Sequence, residues 1–193
     1  MDMKKLEERI LRDGVVKPGG ILKVDSFLNH QIDTGLCREM AEEIYRLYKD
    51  EKITKILTIE ASGISIATMT GYIFGVPVVF AKKAMSKNIS DNVYAVEVYS
   101  FTKKAVKHVI VSREYINPGD KVLLVDDFLA MGSALEGLSD IVHQAGAEVV
   151  GAAIAIEKAF QPGGDKLREK GMRIESLARV ASMSDDSLTF VEE

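Results

Sequence analysis

Apolar positions recur along this chain with two periods, and the two alternate. Over residues 3–12, Leu6 and Ile10, with Leu11 beside them, share one side of a short helix that stops near Gly14. A longer helical stripe covers 33–49, where Leu36, Met40, Ile44, Leu47 and Tyr48 return every three or four residues. That spacing puts them on one helix face, and Asp33 stands where a side-chain acceptor caps the first backbone N–H groups. Between the two helices, 15–33 shows no period and predicts an irregular segment carrying Ile21, Leu22, Phe27, Leu28, Asn29, His30 and Gln31. Downstream, short apolar runs at 56–59, 76–80, 122–125, 148–156 and 173–180 predict strands, and 63–75 and 132–145 predict helices. In the second of these helices Leu135, Leu138, Ile141, Val142 and Ala145 share a face, and Gly146 follows as a stop. Segments 93–101 and 106–112 are rich in β-formers around Lys103-Lys104 and predict a hairpin, while 83–92 is polar and predicts a loop. Asn117-Pro118-Gly119-Asp120 has the composition of a turn. Short apolar strands alternating with helices specify an α/β fold with a mostly parallel sheet flanked by helices. Ligands of such sheets bind at the carboxyl ends of the strands, so the chemistry is sought there.

Composition narrows the classes. A chain of 193 residues, 47% hydrophobic and 28% charged, suits one soluble domain with a full core. A formal net charge of −4 argues against nucleic-acid binding, whose footprint is normally basic. The longest apolar run, 149–156, falls far short of the ~20 residues a membrane-spanning helix needs. Residues 1–8 lack the apolar core of a signal peptide, and Cys37 stands alone, so no intrachain disulfide forms. These features predict a cytoplasmic protein. No residues have zinc-ligand spacing, and nothing resembles a Ser-His-Asp or Cys-His nucleophile set, so no metal site is assigned.

The most informative stretch is Val122-Leu-Leu-Val-Asp126-Asp127-Phe128-Leu-Ala130-Met131-Gly132-Ser133-Ala134. A buried strand delivers two adjacent carboxylates to its tip, and a short glycine-containing loop then opens a helix. Backbone N–H groups at a helix start bind phosphate, and acidic side chains beside them suit ribose hydroxyls. Phosphate and ribose sites a few residues apart imply a ribose 5-phosphate group. A plain strand–turn–helix with capping aspartates would carry the same letters.

This stretch resembles the phosphoribosyl pyrophosphate (PRPP) signature of the type I phosphoribosyltransferases. The resemblance extends through Lys23-Val-Asp-Ser-Phe-Leu-Asn29-His-Gln-Ile-Asp33, Thr58-Ile-Glu60-Ala61-Ser62-Gly63-Ile64, Val76-Pro-Val-Val-Phe-Ala-Lys82-Lys83 and Ile156-Glu157-Lys158-Ala-Phe160-Gln-Pro162-Gly163. Over nearly the whole chain it is similar to the bacterial xanthine phosphoribosyltransferases. The chain departs from the general signature by carrying Met131-Gly132-Ser133-Ala134 in place of Thr-Gly-Gly-Thr. Two hydroxyls are lost from the 5-phosphate site, leaving backbone amides and Ser133, and the xanthine branch is similar in this.

The resemblance implies a single phosphoribosyltransferase domain over 1–193, with a hood over the base site built from about 15–33 and C-terminal segments, and a flexible closing loop at about 84–104 tipped by Ser86, Lys87 and Asn88. It implies purine salvage: transfer of the 5-phosphoribosyl group from PRPP to xanthine, giving xanthosine 5′-monophosphate and pyrophosphate. Asp126 and Asp127 are then the catalytic pair on the ribose. Ala130, Met131, Gly132, Ser133 and Ala134 hold the 5-phosphate. Ala61, Ser62 and Gly63, with a strained peptide at Ala61-Ser62, hold pyrophosphate with Lys82 and Lys83, although adjacent lysines are by themselves usually a solvated surface pair. Leu22, Asn29, Lys158 and Phe160 meet the base. Lys158, an obligate donor, favours a 6-oxo purine over adenine's 6-amino group. Phe160 offers a stacking face, and the Asn29 amide suits a base with an extra 2-oxo group. Mg²⁺ arrives with PRPP, and the family implies a homodimer. Two alternatives stay open: a PRPP-sensing purine regulator, against which stand the acidic charge and the mere ~14 residues ahead of the hood, and a hypoxanthine/guanine enzyme, which Lys158 cannot exclude because all three bases share the 6-oxo group.

Overall fold

The computed structural model describes residues 3–84, 92–100, 105–184 and 186–192. The elements run α1 (Lys4–Asp13), β1 (Val15–Lys17), β2 (Ile21–Lys23), a single π-turn (Asp25–Asn29), α2 (Thr34–Tyr48), β3 (Lys55–Ile59), α3 (Gly63–Phe74), β4 (Val78–Ala84), β5 (Val93–Ser100), β6 (Ala105–Ser112), β7 (Lys121–Leu129), α4 (Ser133–Gln144), β8 (Glu148–Lys158), α5 (Gly163–Glu169), β9 (Ile174–Met183) and β10 (Leu188–Phe190).

Eight strands form one sheet in the order β10-β9-β8-β7-β3-β4-β6-β5. The five inner strands from β9 to β4 are parallel, and β10, β6 and β5 add antiparallel edges. The chain leaves β3 toward β4, then returns to the other side of β3 as β7. That reversal of direction opens a crevice at the carboxyl ends of β3 and β7.

The apolar runs are explained by burial on both faces. Leu123 and Leu124 are both fully buried, yet they belong to different cores, because successive strand side chains point to opposite faces. Leu123 joins Leu6, Ile10, Phe27, Met40 and Ile44 beneath α1, α2 and the π-turn. Leu124 joins Leu135, Leu138 and Ile141 of α4 together with Val109 and Val111 of β6. Asp33 caps α2 as its position predicts: Oδ1 accepts the Leu36 N–H at 3.0 Å, while Oδ2 accepts from Arg9 of α1 at 2.9 Å. Gly146 follows α4 with φ +68°, one residue past the cap at Ala145.

Three sequence expectations change. Residues 15–33 are not irregular throughout: β1 and β2 pair as a small antiparallel hairpin across Pro18-Gly19-Gly20, and Asp25–Asn29 makes the π-turn. The second strand does not end at 80 but continues as β4 through Lys82 and Lys83, which pair with Ile110 and Val109 of β6. The expected loop at 84–104 overlaps β4 at Ala84 and β5 over Val93–Ser100, and β5 runs antiparallel to β6 in the hairpin that the β-formers predict. The remaining parts of that loop, 85–91 with Ser86, Lys87 and Asn88, and 101–104, lie outside the described residues.

Candidate active site

β7 carries Asp126 and Asp127 to the crevice. Asp126 is 5% exposed, and its Oδ1 accepts the N–H of Asp127 at 2.9 Å. Burial, and after it the adjacent Asp127 carboxylate, push the Asp126 carboxyl well above its ordinary range, while Lys83 pulls weakly the other way. The pair is therefore held where a partner donating hydrogen bonds, such as a vicinal diol, relieves an unfavourable charge.

The turn after β3 faces this pair. Gly63 opens α3 so close to β7 that a side-chain carbon there would stand 2.3 Å from Thr58 Oγ1 and 2.8 Å from Asp126 Oδ1. Thr58 is fully buried, and its hydroxyl has no hydrogen-bond partner among the described residues. The Glu60–Ala61 peptide is cis, one bond before the Ala61-Ser62 position that the resemblance implies. Lys83 is laid onto this turn: its Nζ donates to the Glu60 carbonyl at 2.5 Å, and its own N–H donates to Glu60 Oε1 at 2.6 Å.

A cavity of about 400 Å³ joins these parts, with Ala61, Ser62, Lys83, Lys107, Asp126 and Asp127 among its lining. Its walls thus offer two cations, an acidic pair and a turn of small residues. Lys82 is not among them. Strand alternation turns its side chain to the other face, with Nζ 5.8 Å from the Phe80 ring centroid, against a separate and mainly apolar cavity lined by Phe80, Ile110 and Tyr115. Lys107 stands in the crevice instead. Sequence reasoning missed it because it lies on β6, far from the motifs, and only the hairpin register opposite Val98 places it there.

The loop 130–134 closes the other end of the crevice. Gly132 has φ +86°, a left-handed conformation that favours glycine, and caps α4 without any side-chain hydrogen bond to the helix start. The backbone N–H groups of that first turn are thus not claimed by a capping side chain. The start of α5 holds the loop from behind, with the Gly163 N–H donating to the Ala130 carbonyl at 3.1 Å.

Lys158 ends β8 beside this loop. Its Nζ donates to the Gly20 carbonyl at the tip of the β1–β2 hairpin at 2.8 Å and lies 5.8 Å from the Phe128 ring centroid. Burial lowers its tendency to hold a proton. Asn29, the last residue of the π-turn, has a buried Oδ1 with no hydrogen-bond partner among the described residues. Leu22 is 6% exposed and packs in the core beneath the hairpin. Phe160 is 43% exposed in the turn after β8. Phe128, beside the acidic pair, is a site neighbour that periodicity does not single out.

A parallel sheet with a crevice at its switch point, an acidic pair on one strand tip and a turn of small residues on each side is the arrangement of a phosphoribosyl-binding enzyme. The chain belongs to the phosphoribosyltransferase family: the phosphoribosyl transferase domain model matches residues 23–177, and the fold is the type I fold of that family. Among its relatives, the xanthine phosphoribosyltransferase of Finegoldia magna is 58% identical over 97% of this chain and 99% of its own length. Those of Acinetobacter baumannii and Limosilactobacillus reuteri are 53% and 49% identical, each over 99% of this chain and 100% of their own. In fold the chain is similar to the adenine phosphoribosyltransferase of Thermoanaerobacter pseudethanolicus, with a TM-score of 0.75 at 19% identity over 92% of this chain and 99% of that one. The enzyme of the same name from Rhodothermus marinus superimposes with a TM-score of 0.75 at 23% identity, over 92% and 97%. No described helix is long and apolar enough to cross a membrane.

Proposed function

We propose that this chain transfers the 5-phosphoribosyl group of PRPP to xanthine, releasing pyrophosphate and xanthosine 5′-monophosphate, as a step of purine salvage. The observation that carries the reading is the cavity whose walls bring Asp126 and Asp127 together with Ala61, Ser62 and Lys83. Relatives named xanthine phosphoribosyltransferase at 49–58% identity support the base assignment.

The substrate enters as PRPP with its Mg²⁺, which neutralises pyrophosphate charge. The backbone N–H groups over Ala130, Met131, Gly132, Ser133 and Ala134 take the 5-phosphate, with the Ser133 hydroxyl adding a donor. Asp126 and Asp127 accept hydrogen bonds from the ribose hydroxyls and place negative charge beside C1, where positive charge develops as the bond to pyrophosphate breaks. The amides after Glu60, with Lys83 and Lys107, receive the departing pyrophosphate. A purine nitrogen bonds to C1 from the hood side, and no enzyme-bound covalent intermediate forms. The protein works mainly by positioning and charge.

For the base, Lys158 donates to a 6-oxo group, and the Asn29 Oδ1, lacking a partner, accepts from a ring N–H. Such a buried acceptor costs about 1–3 kcal/mol while unpaired, so a base that supplies the donor gains that much over one that does not. Leu22 and the exposed ring of Phe160 complete the base site. Lys82 stands apart from the pyrophosphate site. The chain acts as one domain over 1–193 in the cytoplasm. The exposed Tyr72 of α3 and Phe80 of β4 offer an apolar surface to a second copy, as a homodimer requires. Incubation with Mg²⁺, PRPP and xanthine, followed by chromatography for xanthosine 5′-monophosphate, tests the reading; no nucleotide product would refute it.

A further inference from the structure

Among the described residues at the sheet's carboxyl edge, Glu157 is charged, almost fully buried at 1% exposure, and unused by the reaction above. It precedes Lys158 on β8, so the two side chains point to opposite faces: Lys158 toward the base side, Glu157 toward α5. Its carboxylate takes a two-pronged ion pair from Arg168 of α5, with Nη1 to Oε1 at 2.6 Å and Nη2 to Oε2 at 2.7 Å. Arg179, its register partner on β9, approaches Oε2 at 3.3 Å. Burial alone would raise this carboxyl, but Arg168, followed by Ser176 and Arg179, outweighs it and holds it below its ordinary value, so it stays charged. A buried charge with such geometry is costly to break and sets a unique position for what it holds.

What it holds is α5, and α5 backs the phosphate loop. A side-chain carbon on Gly164 would stand 2.2 Å from Glu157 Oε1, so the start of α5 lies directly on the carboxylate. The preceding residue, Gly163, donates to Ala130, and a side-chain carbon on it would stand 2.2–2.6 Å from Ala130, Met131 and Gly132 backbone atoms. Leu167, one residue before Arg168, is buried with Cδ1 3.2 Å from where a side chain on Gly132 would begin. On the other flank, Glu157 is paired in register with Leu129, the residue before the loop. The carboxylate therefore fixes the loop through the strand that enters it and through the helix behind it.

We propose that Glu157, with Arg168, is a positioning residue for 5-phosphate binding: the ion pair clamps α5 against residues 130–132 and so sets where the loop's amides point. The proposal rests on the PRPP reading above. The test measures binding of ribose 5-phosphate and of pyrophosphate separately, by calorimetry, on wild-type protein, Glu157→Gln, Arg168→Met and Arg168→Lys. Glu157→Gln and Arg168→Met should weaken ribose 5-phosphate about tenfold or more and leave pyrophosphate, held at the other end of the crevice, within twofold. Arg168→Lys, which keeps the charge but not the fork, should fall between. Arg168 lies on the surface side of the pair at 30% side-chain exposure, so its variants carry the test if Glu157→Gln does not fold. Variants that lose both ligands equally, or neither, overturn the proposal while leaving the functional reading intact. A wild-type protein that binds neither ligand overturns both.

Discussion

The close approach of the Gly63 turn to Thr58 and Asp126 sets a quantitative prediction for Gly63→Ala. The new carbon would lie 2.3 Å from Thr58 Oγ1 and 2.8 Å from Asp126 Oδ1, where ordinary contact begins near 3.4 Å. Relief requires about 1 Å of movement. Neither neighbour gives way easily, since Thr58 is fully buried and Asp126 is 5% exposed on an inner strand. The 61–63 turn must therefore draw back from the acidic pair. Overpacking of this kind costs about 1–3 kcal/mol, and at this chain length each kcal/mol lowers Tm by about 2–4 °C. A displacement of about 1 Å between catalytic groups can cost on the order of 100-fold in rate. Calorimetric melting should thus show a moderate loss, while steady-state kinetics should show kcat/KM for PRPP falling about 100-fold. Removing the first obstacle with Thr58→Ala in the Gly63→Ala background should restore part of both, with a coupling of about 0.5–3 kcal/mol in the double-mutant cycle. Gly63→Ala with kcat/KM for PRPP within about threefold of wild type would refute the claim that this approach builds the site.

Further outcomes follow from the same geometry. Asp126→Asn should lower kcat/KM for PRPP by about 10–150-fold, the worth of a charged hydrogen bond, yet raise Tm at pH 7. A carboxyl whose folded value lies above its unfolded one contributes stability below the unfolded value and loses it as pH rises through the folded one, so the gain in Tm should fade below about pH 4, and a variant less stable than wild type at pH 7 would contradict it. Lys83→Gln should weaken pyrophosphate product inhibition about tenfold or more, whereas Lys82→Gln should shift it far less, as measured by inhibition constants; equal effects would contradict the strand alternation. Lys158→Gln should narrow the ratio of adenine to xanthine inhibition constants, because a glutamine can turn an acceptor to a 6-amino group, and an unchanged ratio would remove Lys158 from base selection.

Much of the fold is legible because inner parallel strands must be apolar on both faces. The runs 56–59, 122–125 and 148–156 mark β3, β7 and β8, and the acidic pair stands out by ending such a run. The hood is harder to read. β1 and β2 have only three residues each, too few for a period, and the π-turn places Phe27 and Leu28 inward without helical spacing. β4 hides its end because Lys82 and Lys83 look like a surface pair, although one faces the crevice and the other the opposite side. α5 is short and begins with two glycines, poor helix formers that are there because Glu157 and the backbone of residues 130–132 leave no room for a side chain. Lys107, Thr58 and the Glu157–Arg168 pair depend on register and packing between distant segments, which a linear pattern does not carry.

This crevice should transfer phosphoribose to xanthine in preference to other purines. The direct measurement is kcat/KM with PRPP and Mg²⁺ for xanthine, guanine, hypoxanthine and adenine under one set of conditions. Xanthine should lead, because the unpaired Asn29 oxygen can accept the N3–H that xanthine carries beside its 2-oxo group and that guanine and hypoxanthine lack, and adenine should be last, because it presents no 6-oxo acceptor to Lys158. Hypoxanthine or adenine leading the series, or no consumption of PRPP with any base, would contradict the account.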